Sequence, residues 1–122
     1  MSSGESAGSG LEYVPEAGDV VWLSLSPTVG HEQSGRRPFL VLSPRRYNDK
    51  MSLLVGCAIT MRQKGYPFEV PLRDLQRIGG QVLIDHVKSL DWRARNVEFA
   101  ERATEASVRA VRDLLGDFLG IT

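Results

Sequence analysis

The run Leu53-Leu-Val-Gly-Cys-Ala-Ile-Thr60 is almost entirely apolar and lies near the middle of the 122-residue chain. An apolar run of this length, bounded by turn residues, is typical of a buried β-strand. Two more runs precede it, Asp19-Val-Val-Trp-Leu-Ser-Leu25 and Phe39-Leu-Val-Leu-Ser43. We therefore expect three strands here, with Trp22 in the core because an aromatic side chain inside an apolar strand is usually buried.

Polar and glycine-rich segments then alternate with further extended segments. We expect turns at Arg45-Arg-Tyr-Asn-Asp-Lys50 and Gln63-Lys-Gly-Tyr-Pro67. A strand is expected at Phe68-Glu-Val-Pro-Leu72, and extended chain from Gln81 to Leu90 after the break at Gly79-Gly80.

The C-terminal segment changes to a helical period. Its apolar residues recur three or four positions apart: Val108, Val111, Leu114 or Leu115, and Phe118. Thr104 is placed to cap the amino end of this helix. Short strands followed by one amphipathic helix predict a mainly β domain, a small antiparallel barrel or curled sheet with the helix packed on it.

Length and composition fit one domain, with 42% hydrophobic and 25% charged residues. Residues 1–10 are mostly Ser, Gly, Ala and Glu, so we expect disorder there and a single domain over residues 11–122. The 15 basic and 15 acidic side chains cancel, so a nucleic-acid partner would have to be held by a local cluster of charge. The single cysteine, Cys57, excludes an internal disulfide, and no apolar run could span a bilayer. We expect a soluble, cytoplasmic protein.

The loop between the first two predicted strands carries reactive side chains. Its sequence, Pro27-Thr-Val-Gly-His-Glu-Gln-Ser-Gly-Arg-Arg-Pro38, combines a carboxylate, an imidazole and two guanidinium groups. A proton acceptor beside fixed positive charge suits an anion, and in particular phosphodiester chemistry. Glu32 is the nearest candidate base, and His31 is the alternative because it titrates near neutral pH. Pro38 biases Arg37 toward an extended conformation.

A set of motifs then occurs in one order along the chain: Tyr13-Val-Pro15, Gly18-Asp-Val-Val-Trp22, Pro27-Thr28, Gly30, Glu32-Gln33, Gly35, Arg37-Pro38, Leu42-Ser-Pro44, Tyr47-Asn48, Lys64-Gly-Tyr-Pro-Phe-Glu-Val70, Val87-Lys-Ser89 and Trp92-Arg-Ala-Arg95. From about Tyr13 to Arg95 the chain strongly resembles the toxins of the MazF/PemK family. Residues after Asn96 match that family only in being helical. The resemblance implies an SH3-like antiparallel barrel with a C-terminal helix, of the CcdB/MazF/PemK type, that forms a homodimer.

The resemblance also implies an activity. It points to the toxin of a type II toxin–antitoxin pair, an mRNA interferase that cuts single-stranded RNA, chiefly mRNA, at short sequences without a metal or another cofactor. The implied products carry a 2′,3′-cyclic phosphate and a 5′-hydroxyl. A MazE-like antitoxin is the implied partner and would cover the site with an extended acidic tail.

Two catalytic positions follow from the resemblance. Arg37 matches the arginine that is central to catalysis in the family, and Thr60 matches the catalytic threonine. A guanidinium is a poor base but a strong forked donor to phosphate oxygens, so Arg37 is expected to stabilise charge. Glu32 completes the predicted catalytic set, and Gln33 could hydrogen-bond a base edge or the loop backbone.

Further side chains are candidates for RNA binding. Those predicted to contact the RNA backbone lie nearest the catalytic motifs in the sequence: Arg36, Arg62 and Lys64. Arg45 and Arg46 stay open for the same role, and Tyr66 or Phe68 could stack on bases. His86 stands where several family members carry glutamine, so the recognition sequence is expected to differ if this side chain reads a base. Trp92 is expected near the dimer surface.

Three alternatives remain. CcdB-type toxins share the architecture but bind DNA gyrase through the terminal helix, and such a toxin would not need Arg37 together with Thr60. A degenerate dimer that binds RNA or sequesters an antitoxin is a second alternative, against which the intact Glu32, Arg37 and Thr60 argue. A metal-dependent nuclease is disfavoured because no cluster of carboxylates or histidines has the spacing of metal ligands.

Overall fold

The apolar run that begins at Leu53 forms a central strand, as its composition predicts. The structure is a computed structural model that describes residues 12–25, 35–62, 65, 67–73 and 75–121. Its elements in chain order are β1 (Asp19–Ser24), β2 (Arg36–Val41), α1 (Arg45–Met51), β3 (Leu53–Thr60), β4 (Glu69–Pro71), β5 (Gln81–Asp91), β6 (Glu98–Arg102) and α2 (Glu105–Leu119). Residues 1–10 and most of the expected turn at 63–67 lie outside the described residues, so the domain boundaries stay a prediction.

The strands form one six-stranded sheet in the order β4-β5-β3-β2-β1-β6, with each neighbouring pair antiparallel. The register between β3 and β5 shifts where Cys57 pairs with Val87 but Ile59 pairs with Val82. Extra residues of β5 at this point bend the strand, which curls the sheet. The predicted mainly β fold with a terminal helix is confirmed.

Alternating side chains give the curled sheet two apolar faces. The helix-side core packs beneath α2 and includes Val20, Leu40, Cys57, Ile59, Val82, Ile84 and Val111. The Trp92-side core lies on the other face and contains Val21, Leu23, Phe39, Val41, Leu54, Ala58 and Trp92. Trp22 is only partly buried and packs against the helix-side core.

The helix α2 begins where the sequence predicts. The hydroxyl oxygen of Thr104 accepts a hydrogen bond of 3.2 Å from the backbone N–H of Ser107, so the predicted cap is confirmed. Val111 is fully buried, and the helix ends at Gly120, whose φ of 74° is the left-handed conformation that glycine adopts without strain.

Three local predictions are corrected. The expected turn at residues 45–50 is the helix α1, and Ser52 ends it with a φ of 60°. The side-chain amide of buried Asn48 stabilises this helix by donating to the carbonyl oxygens of Pro15 and Ser43.

Trp92 is not near a surface but fully buried, with Nε1 donating to the carbonyl oxygen of Asn48 at 3.0 Å. The segment after residue 96 is not purely helical, since β6 precedes α2.

Neither helix in the described part of the chain has the length and apolar character needed to cross a bilayer.

Candidate active site

One end of the sheet gathers the residues that carry the predicted chemistry. Because the strands are antiparallel, β1 ends here at Ser24, β2 begins at Arg36, β3 ends at Thr60 and β5 begins at Gln81. We call it the Thr60 end of the sheet. The prediction that Arg36 and Arg37 lie in the loop is corrected, because both belong to the first two positions of β2.

Arg37 and Thr60 share one level of the sheet. The residue pairs between β2 and β3 run from Val41 opposite Gly56 to Phe39 opposite Ala58. Continuing this register by two residues in each strand places Arg37 opposite Thr60. Both positions have the parity of Phe39 and Ala58, which belong to the Trp92-side core, so both side chains leave the sheet on the same face.

Thr60 is held firmly. It is 9% exposed, pairs with Gln81 of β5, and its Oγ1 accepts a hydrogen bond of 3.2 Å from the backbone N–H of Arg62. Because that bond uses an oxygen lone pair, the hydroxyl proton is left to be donated to another group.

The two consecutive arginines differ sharply in their surroundings. Arg37 is half-buried, and its guanidinium has no hydrogen-bond or ion-pair partner within the described part of the chain. The side chain of Arg36 is only 10% exposed and contacts four acceptors, in Trp22, Ser24, Asn96 and Glu98. A forked donor at Arg37 is thus available for a phosphate, whereas Arg36 is engaged with the protein.

A glycine that the sequence indicates only as a turn residue packs directly against Thr60. A Cβ atom added to Gly80 would lie 2.5 Å from the carbonyl oxygen of Thr60 and 2.8 Å from Cγ2 of Ile59. The carbonyl oxygen of Gly80 in turn accepts a hydrogen bond of 2.9 Å from the backbone N–H of Leu72. The close approach of these backbones fixes the position of Thr60, and only contact geometry reveals it.

The other predicted RNA-binding residues are spread around this end. Arg62 is exposed and is the second residue after the end of β3. His86 is half-buried and lies in the bend of β5, between the pairs Cys57 with Val87 and Ile59 with Val82. Glu32, Gln33 and Lys64 lie outside the described residues, as do the alternatives His31 and Tyr66. The roles of all these side chains stay predictions.

Some weaker candidates are placed elsewhere. Arg45 and Arg46 are not in a loop beside the Thr60 end but in α1, which joins the far ends of β2 and β3. Phe68 contacts Phe118 of α2 edge to face, with ring centroids 5.4 Å apart. This contact packs the helix against the start of β4.

The described residues offer no other obvious reactive centre. Burial raises the pKa of the Cys57 thiol to about 12, with the negative charge of Asp85 adding to the effect, so the thiol stays protonated at neutral pH. Among the described residues, no three His, Cys, Asp or Glu side chains are grouped as the ligands of a metal ion would be.

A comparison with known families identifies this arrangement. Residues 16–119 match the family described as PemK-like, MazF-like toxin of type II toxin–antitoxin systems. The chain belongs to the MazF-like toxin family. The predicted family is therefore confirmed, and the match extends past Asn96 through β6 and α2.

Curated relatives agree with this assignment. The chain is 49% identical over 83 residues to the endoribonuclease toxin MazF of Escherichia coli K12, a match that covers 68% of this chain and 74% of that protein. It is 31% identical over 109 residues to the endoribonuclease PemK of Escherichia coli, covering 85% and 81% of the two chains.

Solved structures of MazF-like proteins share the fold. A MazF chain in a crystal structure of MazE–MazF from Deinococcus radiodurans is 45% identical and superimposes with a TM-score of 0.81. The match covers 91% of this chain and 100% of that one. The predicted SH3-like barrel with a C-terminal helix is confirmed by this likeness.

Proposed function

We propose that this MazF-like protein is an endoribonuclease that cleaves single-stranded RNA, chiefly mRNA, at short sequences without a metal ion. The observation that carries the proposal is family membership together with an Arg37 that has no partner among the described residues and lies level with Thr60 when the register of β2 and β3 is continued. Relatives at 49% and 31% identity are both named endoribonucleases.

The proposed chemistry is attack by the neighbouring 2′-hydroxyl on the scissile phosphate. A bond forms between the 2′-oxygen and phosphorus, and the bond from phosphorus to the 5′-oxygen breaks. The 2′-proton passes to a base, and the leaving 5′-oxygen takes up a proton. The products are a 2′,3′-cyclic phosphate and a 5′-hydroxyl.

Arg37 and Thr60 supply the electrostatic part of this reaction. The guanidinium of Arg37 donates to the phosphate oxygens, whose negative charge increases as the phosphorane forms. The hydroxyl of Thr60, with its oxygen already accepting from Arg62, donates its proton to the same phosphate. Glu32 accepts the 2′-proton, and His31 is the alternative base.

Binding and sequence selection fall to side chains around the same end. Arg62 and Lys64 contact the RNA backbone, and Gln33 and His86 hydrogen-bond base edges. The chain has no net charge, so affinity depends on this local cluster. Arg36 is not included in this set, because its donors already have protein acceptors.

The proposal includes two protein partners and a compartment. The chain acts as a cytoplasmic homodimer and is inhibited by a MazE-like antitoxin. Support comes from the similar MazF of Deinococcus radiodurans, which was crystallised with MazE. A MazE-like protein encoded beside this chain that neither binds it nor inhibits cleavage would contradict the antitoxin part.

The function is tested by incubating the purified protein in EDTA with a long single-stranded RNA and mapping every cut. We expect cuts that recur at one short sequence, and we expect Arg37→Ala to abolish them. Arg109→Ala, a change to an exposed residue of α2, serves as the purification control and should retain cleavage. Undiminished cleavage by Arg37→Ala would contradict the assignment. No cleavage by the folded unaltered protein would favour gyrase binding or a degenerate dimer.

A further inference from the structure

We infer that Arg36 and Arg95 position Arg37 for catalysis instead of contacting RNA. The inference rests on the proposed function, because it assigns both residues to the same RNA-cleaving site. The two guanidinium groups hold the Thr60 end of the sheet together through the acceptors that they contact.

Arg36 joins the start of β2 to two segments that are distant from it in sequence. Its Nη1 donates to Oγ of Ser24 at 3.2 Å, and its Nη2 donates to the carbonyl oxygens of Trp22 at 3.4 Å and Asn96 at 2.8 Å. The carboxylate of Glu98 lies 3.5 Å from the same Nη2. The acceptors thus belong to β1, to the turn after β5 and to β6.

Arg95, in the turn after β5, binds the end of β1. Its Nη1 donates to the carbonyl oxygens of Ser24 at 3.0 Å and Leu25 at 2.5 Å. Its own carbonyl oxygen accepts from the backbone N–H of Ser24 at 2.9 Å. The backbone N–H of Leu25 donates to the carbonyl oxygen of Gly35, which closes the gap between β1 and β2.

These contacts oppose phosphate binding by Arg36, because its guanidinium would have to leave its protein acceptors. A guanidinium has five N–H donors in a fixed planar fork, and turning it toward RNA would break its bonds to all of these acceptors, two of which, Oγ of Ser24 and the carbonyl oxygen of Trp22, lie in partly buried contacts. The Arg36 side chain is only 10% exposed, and leaving its two partly buried acceptors unpaired is unfavourable. The guanidinium of Arg36 therefore keeps its contacts within the protein and does not bind RNA.

The anchoring of Arg36 also fixes the position of Arg37, because the two residues are neighbours in the backbone of β2. Successive side chains of a strand leave on opposite faces, so Arg36 lies on the face of Leu40 and Arg37 on the face of Phe39. Fixing the guanidinium of Arg36 fixes the first residues of β2, from which Arg37 extends. A catalytic group displaced by about 1 Å can lower the rate by about 100-fold.

The test compares Arg36→Met and Arg36→Lys with the unaltered protein on a short RNA that carries one mapped cut site. For a positioning role, kcat falls about 10-fold to 100-fold in both variants while KM and its salt dependence stay unchanged. Lysine does not rescue kcat, because one ammonium cannot reach the four acceptor residues that the guanidinium contacts. Arg95→Lys is expected to behave in the same way, and Arg109→Met is the matched control.

An RNA contact would give a different pattern. Arg36→Met would raise KM and reduce the slope of log affinity against log salt by about 0.7, and Arg36→Lys would restore both. That result, or a kcat within twofold of the unaltered protein, would overturn the inference. If Arg36→Met does not fold by circular dichroism, Arg36→Lys and Arg95→Lys carry the test alone. Failure of the unaltered protein to cut any RNA would overturn the proposed function and this inference together.

Discussion

The register of β2 and β3, continued two residues beyond the pair Phe39 and Ala58, places Arg37 level with Thr60, and both positions have the parity of the Trp92-side face. Arg37 is the second residue of β2 and Thr60 is the last residue of β3, so both positions belong to the same end of the sheet. This is the arrangement that a phosphate needs if two fixed donors are to contact it together.

The hydroxyl of Thr60 is expected to be essential for the rate. Thr60→Val keeps the shape of the side chain but removes the donor, so kcat should fall about 100-fold to 1,000-fold. Thr60→Ser keeps the hydroxyl and should stay within about 10-fold of the unaltered protein. Single-turnover cleavage of a short RNA measures the rate of both variants. Equal activity in Thr60→Val and Thr60→Ser would show that the hydroxyl has no catalytic role.

The paired glycines Gly79 and Gly80 offer a test of how Thr60 is held. An alanine at position 80 would place its Cβ 2.5 Å from the carbonyl oxygen of Thr60, whereas one at position 79 would meet nothing within 4 Å. We expect Gly80→Ala to lower the free energy of unfolding by about 1–3 kcal/mol and to reduce cleavage. Gly79→Ala should leave both close to their original values. Urea unfolding measures the free energy of unfolding, and the cleavage assay measures activity. Identical behaviour of the two variants would contradict the packing described.

Asn48 is expected to be a major contributor to stability. Its fully buried amide donates to the carbonyl oxygens of Pro15 at 2.8 Å and Ser43 at 3.0 Å. Asn48→Ala leaves these acceptors unpaired, so the free energy of unfolding should fall by about 2–4 kcal/mol. The neighbouring Asp49→Ala removes only an exposed ion pair with Arg93 and should cost less than about 1 kcal/mol. A loss for Asn48→Ala no greater than that for Asp49→Ala would contradict this role.

Glu101 makes stability depend on pH in the acid range. Partial desolvation would raise the pKa of its carboxyl, but three backbone N–H groups, of Gln76, Arg77 and Ile78, donate to it and hold the pKa below its usual value. A lowered folded pKa stabilises the folded state above the unfolded pKa of about 4.3, and this contribution is lost as the pH falls through the folded value.

The variant Glu101→Gln tests that linkage. At pH 7 we expect the unaltered protein to have the higher Tm, and we expect the difference to shrink as the pH falls below the unfolded pKa of about 4.3. Thermal unfolding followed by circular dichroism from pH 7 to pH 3 measures it. A difference in Tm that is constant over this range would contradict the assigned hydrogen bonds.

Much of the fold is predictable because local pattern and final burial agree. The run from Leu53 to Thr60 is apolar throughout and becomes a central strand, and the spacing of Val108 and Val111 follows the buried side of α2. Helix α1 is different. Its polar sequence is typical of a turn, and it becomes helical through bonds from Asn48 to Pro15 and from Trp92 to Asn48, which are distant in the sequence.

The site is predictable only in part, for a similar reason. Resemblance to a family suggests Arg37 and Thr60, but their common level depends on the register of β2 and β3. Sequence reasoning places Arg36 and Arg37 together in the loop, although it gives them different roles. Their difference arises from the alternation of a strand and from the carbonyl of Asn96, which the turn after β5 brings next to Arg36.

The most direct test of the central claim replaces one ribonucleotide at a mapped cut site with its 2′-deoxy counterpart, on the 5′ side of the scissile phosphate. If the 2′-hydroxyl is the nucleophile, the protein in EDTA should no longer cut that position, while a second, unmodified site in the same RNA is cut at its usual rate into 2′,3′-cyclic phosphate and 5′-hydroxyl ends. Continued cleavage at the deoxy position would contradict the account.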